Sequence, residues 1–320
     1  MNELYKEFKT KTKKEWLDKV TTDLKGKSIE TLNWEGATHT FSPFFTKEDI
    51  PAQTPTLDAH KMDNNWTILE PINISDSKAT NKLILSALNA GAEGLDLGDI
   101  GARSLQSLTE LLNEVQLEWI TLHFSCSSEK VKSVLAKLEE VLNQKGQSKT
   151  LTKMALSVTD KLSPADFKKI VSALEDFPLS SFKGKPGYDI VEPLDYLKTT
   201  YTAFTKLGQL LGENGLEKLS IAVPIGTNYF ENISKLRALK ILWAKALSLN
   251  GIQKSIPLVI HSVLSTTDFV ADSNTNKIKL TSQALSAVIG GTDTLTIPAS
   301  GSDNPDLNRR ISRNLSLIHI

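Results

Sequence analysis

From Trp66 onward the sequence alternates between short apolar runs and longer stretches in which apolar residues recur with helical spacing. This alternation predicts parallel strands joined by helical crossovers. The predicted strands are Trp66–Ile72, Gly94–Gly98, Trp119–Phe124, Lys153–Val158, a weaker run near Ser180–Phe182, Leu219–Pro224, Pro257–Val263 and Thr294–Pro298. The predicted helices are Ser75–Ala90, Ser104–Val115, Ser128–Asn143, Ala165–Leu174, Pro193–Leu211, Phe230–Leu249, Ser282–Ile289 and Asp306–Leu317.

Eight strand–helix units over about 250 residues are typical of a (β/α)₈ barrel. An open, doubly wound sheet is the competing architecture, and it normally carries a glycine-rich turn after its first strand. Here the first predicted strand is followed by residues 73–76, which contain no glycine. The sequence therefore favours an α/β fold of the TIM-barrel type over residues 61–320.

The segment before the barrel has a different character. Trp16, Trp34, Phe41, Phe44 and Phe45 lie in a stretch with little periodicity, and residues 51–65 have the polar, proline-containing composition of a linker. We interpret residues 1–60 as an N-terminal arm and linker. Because aromatic anchors concentrate at interfaces, we expect residues 14–50 to bind a partner. The alternative is that the arm packs on its own barrel.

Composition excludes several classes of function. The 37 Lys and Arg residues balance the 37 Asp and Glu residues, so the basic excess typical of nucleic-acid binding is missing. No apolar run approaches the roughly 18 residues of a membrane span, and the N-terminus does not resemble a secretory signal. Cys126 is the only cysteine, so no internal disulfide can form. We expect a cytoplasmic protein that binds neither nucleic acid nor membrane.

Histidines are the main candidates for chemistry. The five histidines show no metal-ligand spacing, so no metal site is predicted. His261 lies near the carboxyl end of a predicted strand, the rim where barrel enzymes place their active-site groups. It could donate a proton or a hydrogen bond to a carbonyl group, or it could be a buried structural histidine. His123 has a similar position on the third predicted strand.

Other candidate residues each have a structural alternative. Cys126 could be a nucleophile only beside a basic partner. Asp96 and Asp99 end the second predicted strand, and Asp160 is the nearest acid after the fourth; they could be catalytic carboxylates or helix caps. Residues 226–228 could bind an anion or form a plain turn. The basic residues of the last predicted helix indicate a solvated face, an interface or, less favourably, a phosphate site; they are Arg309, Arg310 and Arg313.

Several segments spread along the chain form a combination typical of one family. They are Trp16, Leu24–Lys27, Leu32–Trp34, Pro43–Phe45, Trp66–Ile68, Leu236–Ala238, Leu242–Lys245, Gly290–Thr292 and Arg310–Asn314. The most specific part is Leu-Lys-Gly-Lys followed by tryptophan, together with the later Leu-Trp-Ala-Lys. On these residues the chain resembles the methylmalonyl-CoA mutase family over essentially its whole length.

The resemblance implies a TIM barrel that threads a CoA thioester along its axis. It also implies an adenosylcobalamin held at the barrel mouth by a C-terminal domain. The bacterial members include heterodimers of a catalytic large subunit and a related small subunit without activity. The Asp-x-His-x-x-Gly signature of the cobalamin domain does not occur in this chain. We therefore expect the C-terminal cobalamin domain to be absent and this chain alone to bind no cobalamin.

The sequence departs from the family's catalytic pattern around the expected site. Where catalytic chains carry a substrate-facing tyrosine, an arginine and a proline, this chain has Lys61, Asn64 and Asn65. Leu69–Pro71 replaces Arg-Gln-Tyr, and the family's Thr-His-Arg-Gly after the second strand is also replaced. His261 matches the position of the family's catalytic histidine, but the residues that follow it differ.

The resulting hypothesis is a small (β-type) subunit of methylmalonyl-CoA mutase. Such a chain would pair with the large subunit in a heterodimer and contribute to an isomerase whose adenosylcobalamin belongs to the complex. Its own site would be inactive, and His261 would be a remnant. Two alternatives remain open: an active acyl-CoA isomerase barrel that uses His261, and a module that binds a CoA thioester without chemistry.

Overall fold

The computed structural model describes residues 11–35, 40–49, 65–185, 189 and 193–301. The chain divides into two compact units, Met1–Thr56 and Leu57–Ile320. In the described residues no helix is long and apolar enough to cross a membrane. The helix predicted at residues 306–317 and the three arginines on it lie outside the described residues, as do Lys61 and Asn64.

The described residues of the first unit include an α-helix, α1 (Lys13–Asp23), and a short pair of antiparallel strands, β1 (Trp34–Glu35) and β2 (Thr40–Phe41). A capping box starts α1, because the Thr12 hydroxyl accepts from the Glu15 amide while the Glu15 carboxylate accepts from the Thr12 amide. Trp16 stacks on Phe44 with ring centroids 4.4 Å apart. The described residues also form two short 3₁₀ helices, Ile29–Leu32 and Lys47–Asp49.

The second unit is a closed barrel of eight parallel strands, which confirms the predicted TIM-barrel fold. The last strand pairs with both the first and the seventh, so no strand edge is left open. The strands are β3 (Thr67–Pro71), β4 (Gly94–Asp99), β5 (Thr121–Cys126), β6 (Lys153–Val158), β7 (Ser181–Gly184), β8 (Leu219–Ile225), β9 (Val259–Leu264) and β10 (Thr294–Thr296).

Seven helices connect and surround these strands in the described part of the second unit. They are α2 (Ser77–Asn89), α3 (Leu105–Leu111), α4 (Val131–Gln144), α5 (Pro164–Ala173), α6 (Pro193–Leu216), α7 (Tyr229–Leu249) and α8 (Ser273–Gly290). The helix α8 begins nine residues before its predicted start at Ser282. Asp272 caps it by accepting from the amides of Asn274 and Thr275, and its first turns are too polar to show an apolar period. Helix α6 extends to Leu216 across a break at Gly212, whose φ is +65°.

The two faces of the barrel sheet differ in composition. Outward side chains such as Leu95, Leu122 and Phe124 are buried against the helices and form the main core. Inward positions, which alternate with them, include many small or polar residues, where barrels usually place large branched apolar side chains. They include Thr67, Gly94, Thr121, Ala155, Ser181, Ser220 and Thr294. This polar interior surrounds the candidate site.

Candidate functional site

His123 and His261 meet inside the barrel. They lie on β5 and β9, the third and seventh barrel strands, which are four apart in a ring of eight and therefore on opposite sides. Their ring centroids are 4.4 Å apart, with the rings nearly perpendicular at 85°. Side chains from opposite strands can touch only at the barrel axis. At this level the two imidazoles therefore fill the axis.

A buried lysine joins the histidine pair. Lys183, on β7, is 5% exposed, and its Nζ lies 3.2 Å from Nδ1 of His123. The same Nζ is 3.7 Å from the carboxylate of Asp96 on β4, which forms an ion pair with it. Since an ammonium group only donates, Nδ1 of His123 accepts, and the proton of that neutral ring belongs on Nε2. Nδ1 of His261 is 2.7 Å from the hydroxyl of Thr294 on β10.

Burial and positive charge keep both imidazoles neutral. Burial lowers the pKa of His123 well below the ordinary histidine value, and the charge of Lys183 and the neighbouring His261 lower it further. Burial is also the main cause of the lowered pKa of His261, with Lys183 adding to it. The pKa of Lys183 itself is lowered by burial, and the nearby Asp96 partly opposes that shift. At neutral pH the rings can accept or donate hydrogen bonds, but they are poor bases.

The other ring nitrogen of each histidine, Nε2, has no hydrogen-bond partner among the described residues. Nε2 of His123 and Nε2 of His261 are both buried without a hydrogen bond to any described residue. Leaving such atoms unpaired costs about 1–3 kcal/mol each. In the part of the chain that the structure describes, no group of three or more His, Cys, Asp or Glu side chains could hold a metal ion.

The remaining candidates have structural surroundings. Cys126 is buried, and burial together with the charges of Asp99 and Asp160 raises the pKa of its thiol to about 11, so the reactive thiolate is disfavoured. Asp160 accepts from the amide and hydroxyl of Ser128, at the start of the 3₁₀ turn that leads into α4. Asp99 accepts from the amide of Gly101.

The turn after β8 is a strand–helix connection held by side chains. The Thr227 hydroxyl donates to Asp268, and Asn232 donates to the carbonyl of Gly226. Asn228 precedes α7 without making a side-chain cap. These contacts match the plain-turn interpretation of residues 226–228.

The structure brings together residues that the sequence treats separately. Asp96 was expected to be a catalytic carboxylate or a helix cap, whereas it pairs with Lys183 inside the barrel. Lys183 and Thr294 were not candidates at all. Lys183 directly follows the weakest predicted strand, the run near Ser180–Phe182, so there was little signal for it in the sequence. In the structure it lies on β7, two residues after the inward-facing Ser181, at an inward position that ordinarily takes an apolar residue.

Comparison with known proteins identifies relatives along almost the whole chain. Residues 194–317 match the sequence model of the family described as methylmalonyl-CoA mutase. The methylmalonyl-CoA mutase small subunit of Porphyromonas gingivalis is 26% identical, covering 98% of this chain and 58% of that protein. The methylmalonyl-CoA mutase of Cereibacter sphaeroides is 23% identical over 95% of this chain and 52% of its own length. The Escherichia coli protein of the same name is 31% identical over 41% of this chain and 19% of its own length.

This chain thus spans a little over half the length of the first two of these relatives. The similarity includes both the arm and the barrel, because it covers nearly all residues. Together with the matched family model, it shows that the chain is similar to methylmalonyl-CoA mutases along nearly all of its length.

Proposed function

We propose that this chain is the small-subunit type of methylmalonyl-CoA mutase, a structural partner of a catalytic large subunit in a cytoplasmic heterodimer. The complex would be an isomerase that interconverts methylmalonyl-CoA and succinyl-CoA with adenosylcobalamin. Support comes from the Porphyromonas gingivalis relative, which is named a small subunit and aligns with 98% of this chain.

The observation that carries the non-catalytic role is the contact between His123 and His261 at the barrel axis. His261 stands at the position of the family's catalytic histidine. A general acid or base must reach the reacting group within about 3 Å. Here the ring of His261 lies against His123, its Nδ1 is bonded to Thr294, and the residue is 4% exposed. A thioester chain that followed the axis would have to displace both rings.

The described residues do not fit adenosylcobalamin. A histidine that served as a ligand to cobalt would need an accessible ring nitrogen, and both described histidines are buried in contact with each other. We therefore derive no step through the cofactor among these residues.

A CoA-binding role has weaker support. Binding of a CoA phosphate favours arginine, whose guanidinium group forms paired hydrogen bonds with it. The described arginines are engaged with backbone carbonyl groups: Arg103 donates to those of Ile74 and Ser75, and Arg237 donates to that of Ile289.

The second hypothesis is an active barrel that uses His261, and the following variant distinguishes it from our proposal.

His261→Ala should leave the turnover of the reconstituted two-subunit mutase unchanged within about twofold, because a remnant imidazole contributes nothing to the barrier. The measurement is turnover of the complex at saturating cobalamin, with gel filtration to show that the complex has assembled. A loss of about tenfold or more in an intact complex would mean that this barrel takes part in catalysis.

We also propose that the arm of residues 14–50 binds the large subunit. Several of its apolar side chains are exposed, including Trp34 at 47% and Phe45 at 61%. Trp34 is held in place by stacking on Phe41, with centroids 4.3 Å apart, so little freedom would be lost on binding.

Replacing both Trp34 and Phe45 by alanine should weaken binding of the large subunit by about thirtyfold, the ratio expected for an interface hot spot. Calorimetric titration of the large subunit would measure the change. Trp119→Ala is the matched control, because Trp119 is 81% exposed on the barrel unit. Equal losses in both proteins, or no loss in the arm variant, would contradict the assignment of the arm.

A further inference from the structure

Three large apolar side chains are exposed at the amino-terminal end of the barrel, opposite the end where barrel enzymes place their active-site groups. Trp119, Leu151 and Leu179 each precede the first residue of a strand by two positions, and those strands, β5, β6 and β7, are neighbours in the sheet. The three side chains are 81%, 55% and 49% exposed. Because adjacent parallel strands begin at the same end of the barrel, we treat the three side chains as one surface, the β5–β7 patch.

Side-chain contacts join the three loops that carry the patch. Gln147, before β6, accepts from the amide of Leu117 and donates to the carbonyl of Val115, both before β5. The ammonium group of Lys149, also before β6, lies 5.8 Å from the ring centroid of Phe177, before β7. Because these contacts already order the loops, little conformational entropy would be lost when the patch is covered.

The exposed area of the patch indicates the class of interface that it can form. A tryptophan side chain buries up to about 250 Å² when it is covered, and most of the area of Trp119 is exposed. With the two leucines the apolar area is roughly 350 Å², which is comparable with the largest apolar patch of a typical monomer. An interface built on such a patch belongs to the lower end of the size range of specific complexes, where association is weak and reversible.

Charges of opposite sign flank the patch on its two sides. Lys153, on the β6 side, is exposed and follows Leu151. Glu175, on the β7 side, is exposed and precedes Leu179. Two copies related by a two-fold axis can therefore bring the basic side of each patch against the acidic side of the other. The 37 basic and 37 acidic residues of the chain cancel, so long-range repulsion does not oppose contact between two copies.

The two flanking charges are available for such a contact. Among the residues that the structure describes, neither Lys153 nor Glu175 forms a salt bridge or a side-chain hydrogen bond. Lys218 interacts with Glu175 through space, because its ammonium group donates to the carbonyls of Phe177 and Pro178.

We propose that the β5–β7 patch is the contact surface of a symmetric dimer of this chain, in which two copies of the patch meet across a two-fold axis. Trp119 is the central anchor, and Lys153 of each copy faces Glu175 of the other. The opposite charges on the two sides of one apolar surface select a second copy, because they make the surface complementary to itself. The proposal does not depend on the arm, which belongs to the other compact unit.

Sedimentation velocity of the full chain over a series of concentrations tests the proposal. We expect a monomer–dimer equilibrium with a dissociation constant on the order of tens of micromolar, as for other small interfaces. Trp119→Arg should raise that constant by about thirtyfold or more, as expected for a hot spot. Phe230→Arg is the matched control, because Phe230 is 73% exposed at the start of α7, at the other end of the barrel.

Circular dichroism verifies that each variant is folded. If Trp119→Arg does not fold, Leu151→Glu makes the same test from the neighbouring loop. A chain that remains monomeric at about 300 μM, or a dimer that both arginine variants weaken equally, would overturn the proposal. So would a loss of large-subunit affinity in Trp119→Arg, measured where this chain is monomeric, since it would assign the patch to that partner.

Charge reversal tests the two-fold arrangement itself. Lys153→Glu and Glu175→Lys should each weaken dimerisation by about tenfold, because like charges then face each other. An equimolar mixture of the two variants should dimerise about as well as the unchanged chain, since every facing pair again has opposite signs. Lys82→Glu, the same charge change at an exposed position of α2, should have no effect. A mixture that does not recover would contradict the two-fold contact.

Discussion

Acidification should destabilise the barrel steeply below pH 6.5, by at most about 4 kcal/mol at pH 5, the limit for two imidazoles that stay neutral in the folded chain. Burial lowers the pKa of His123 and His261 in the folded chain, so below pH 6.5 the unfolded chain binds more protons than the folded one. The free energy of unfolding is therefore highest above the ordinary histidine pKa, where the rings are neutral in both states. It falls as the pH drops, because protons bind to the histidines of the unfolded chain first. Two such groups approach a slope of about 2.7 kcal/mol per pH unit.

Urea unfolding at a series of pH values between 5 and 8 measures this slope. His123→Leu and His261→Leu should each reduce it by about half, whatever the variant's stability at pH 8, and the double variant should remove most of it. The informative quantity is the slope of the free energy of unfolding against pH. A change in packing shifts the free energy equally at every pH and leaves this slope unchanged. An unchanged slope in the double variant would show that the rings are not the groups that take up the protons.

Asp96→Ala should destabilise the chain by about 3 kcal/mol at neutral pH. The substitution leaves Lys183, 5% exposed, without its carboxylate, and an unpaired buried charge costs more than a lost contact. Lys183→Met should cost less, about 1 kcal/mol, because Asp96 is 24% exposed and can be solvated, while His123 loses one donor. The double variant should recover most of the loss of the Asp96 variant.

The same unfolding measurement on the two single variants and the double variant forms a thermodynamic cycle. A coupling energy near zero would show that the two groups do not interact in the folded chain. Equal losses in the single variants would contradict the difference in burial between the two side chains. In Asp96→Ala the pKa of Lys183 should fall further, so the destabilisation should shrink as the pH is raised.

Local patterns of apolar residues in the sequence were sufficient to predict the barrel architecture. The strands, of three to seven residues, and the helices, of about two turns or more, each have their own apolar period, and alternation of the two permits few topologies. All eight predicted strands are present, including the weak one at β7. The differences from the prediction are at the ends of the elements, as at the start of α8. The first turns of that helix are polar, and its cap depends on the single residue Asp272, so the apolar pattern does not show where the helix begins.

The candidate site depends on relations that no local pattern contains. His123 and His261 are separated by more than a hundred residues, and their contact follows only from closure of the barrel, which places β5 opposite β9. The pairing of Lys183 with Asp96 has the same origin. Motif comparison predicts only that His261 matches the position of the catalytic histidine in the family that the chain resembles. The burial of His261, its neutral state and its contact with His123 depend on closure of the barrel, which brings side chains from distant parts of the chain to one axis. At that axis the side chains are removed from water, so desolvation and nearby charges control their protonation.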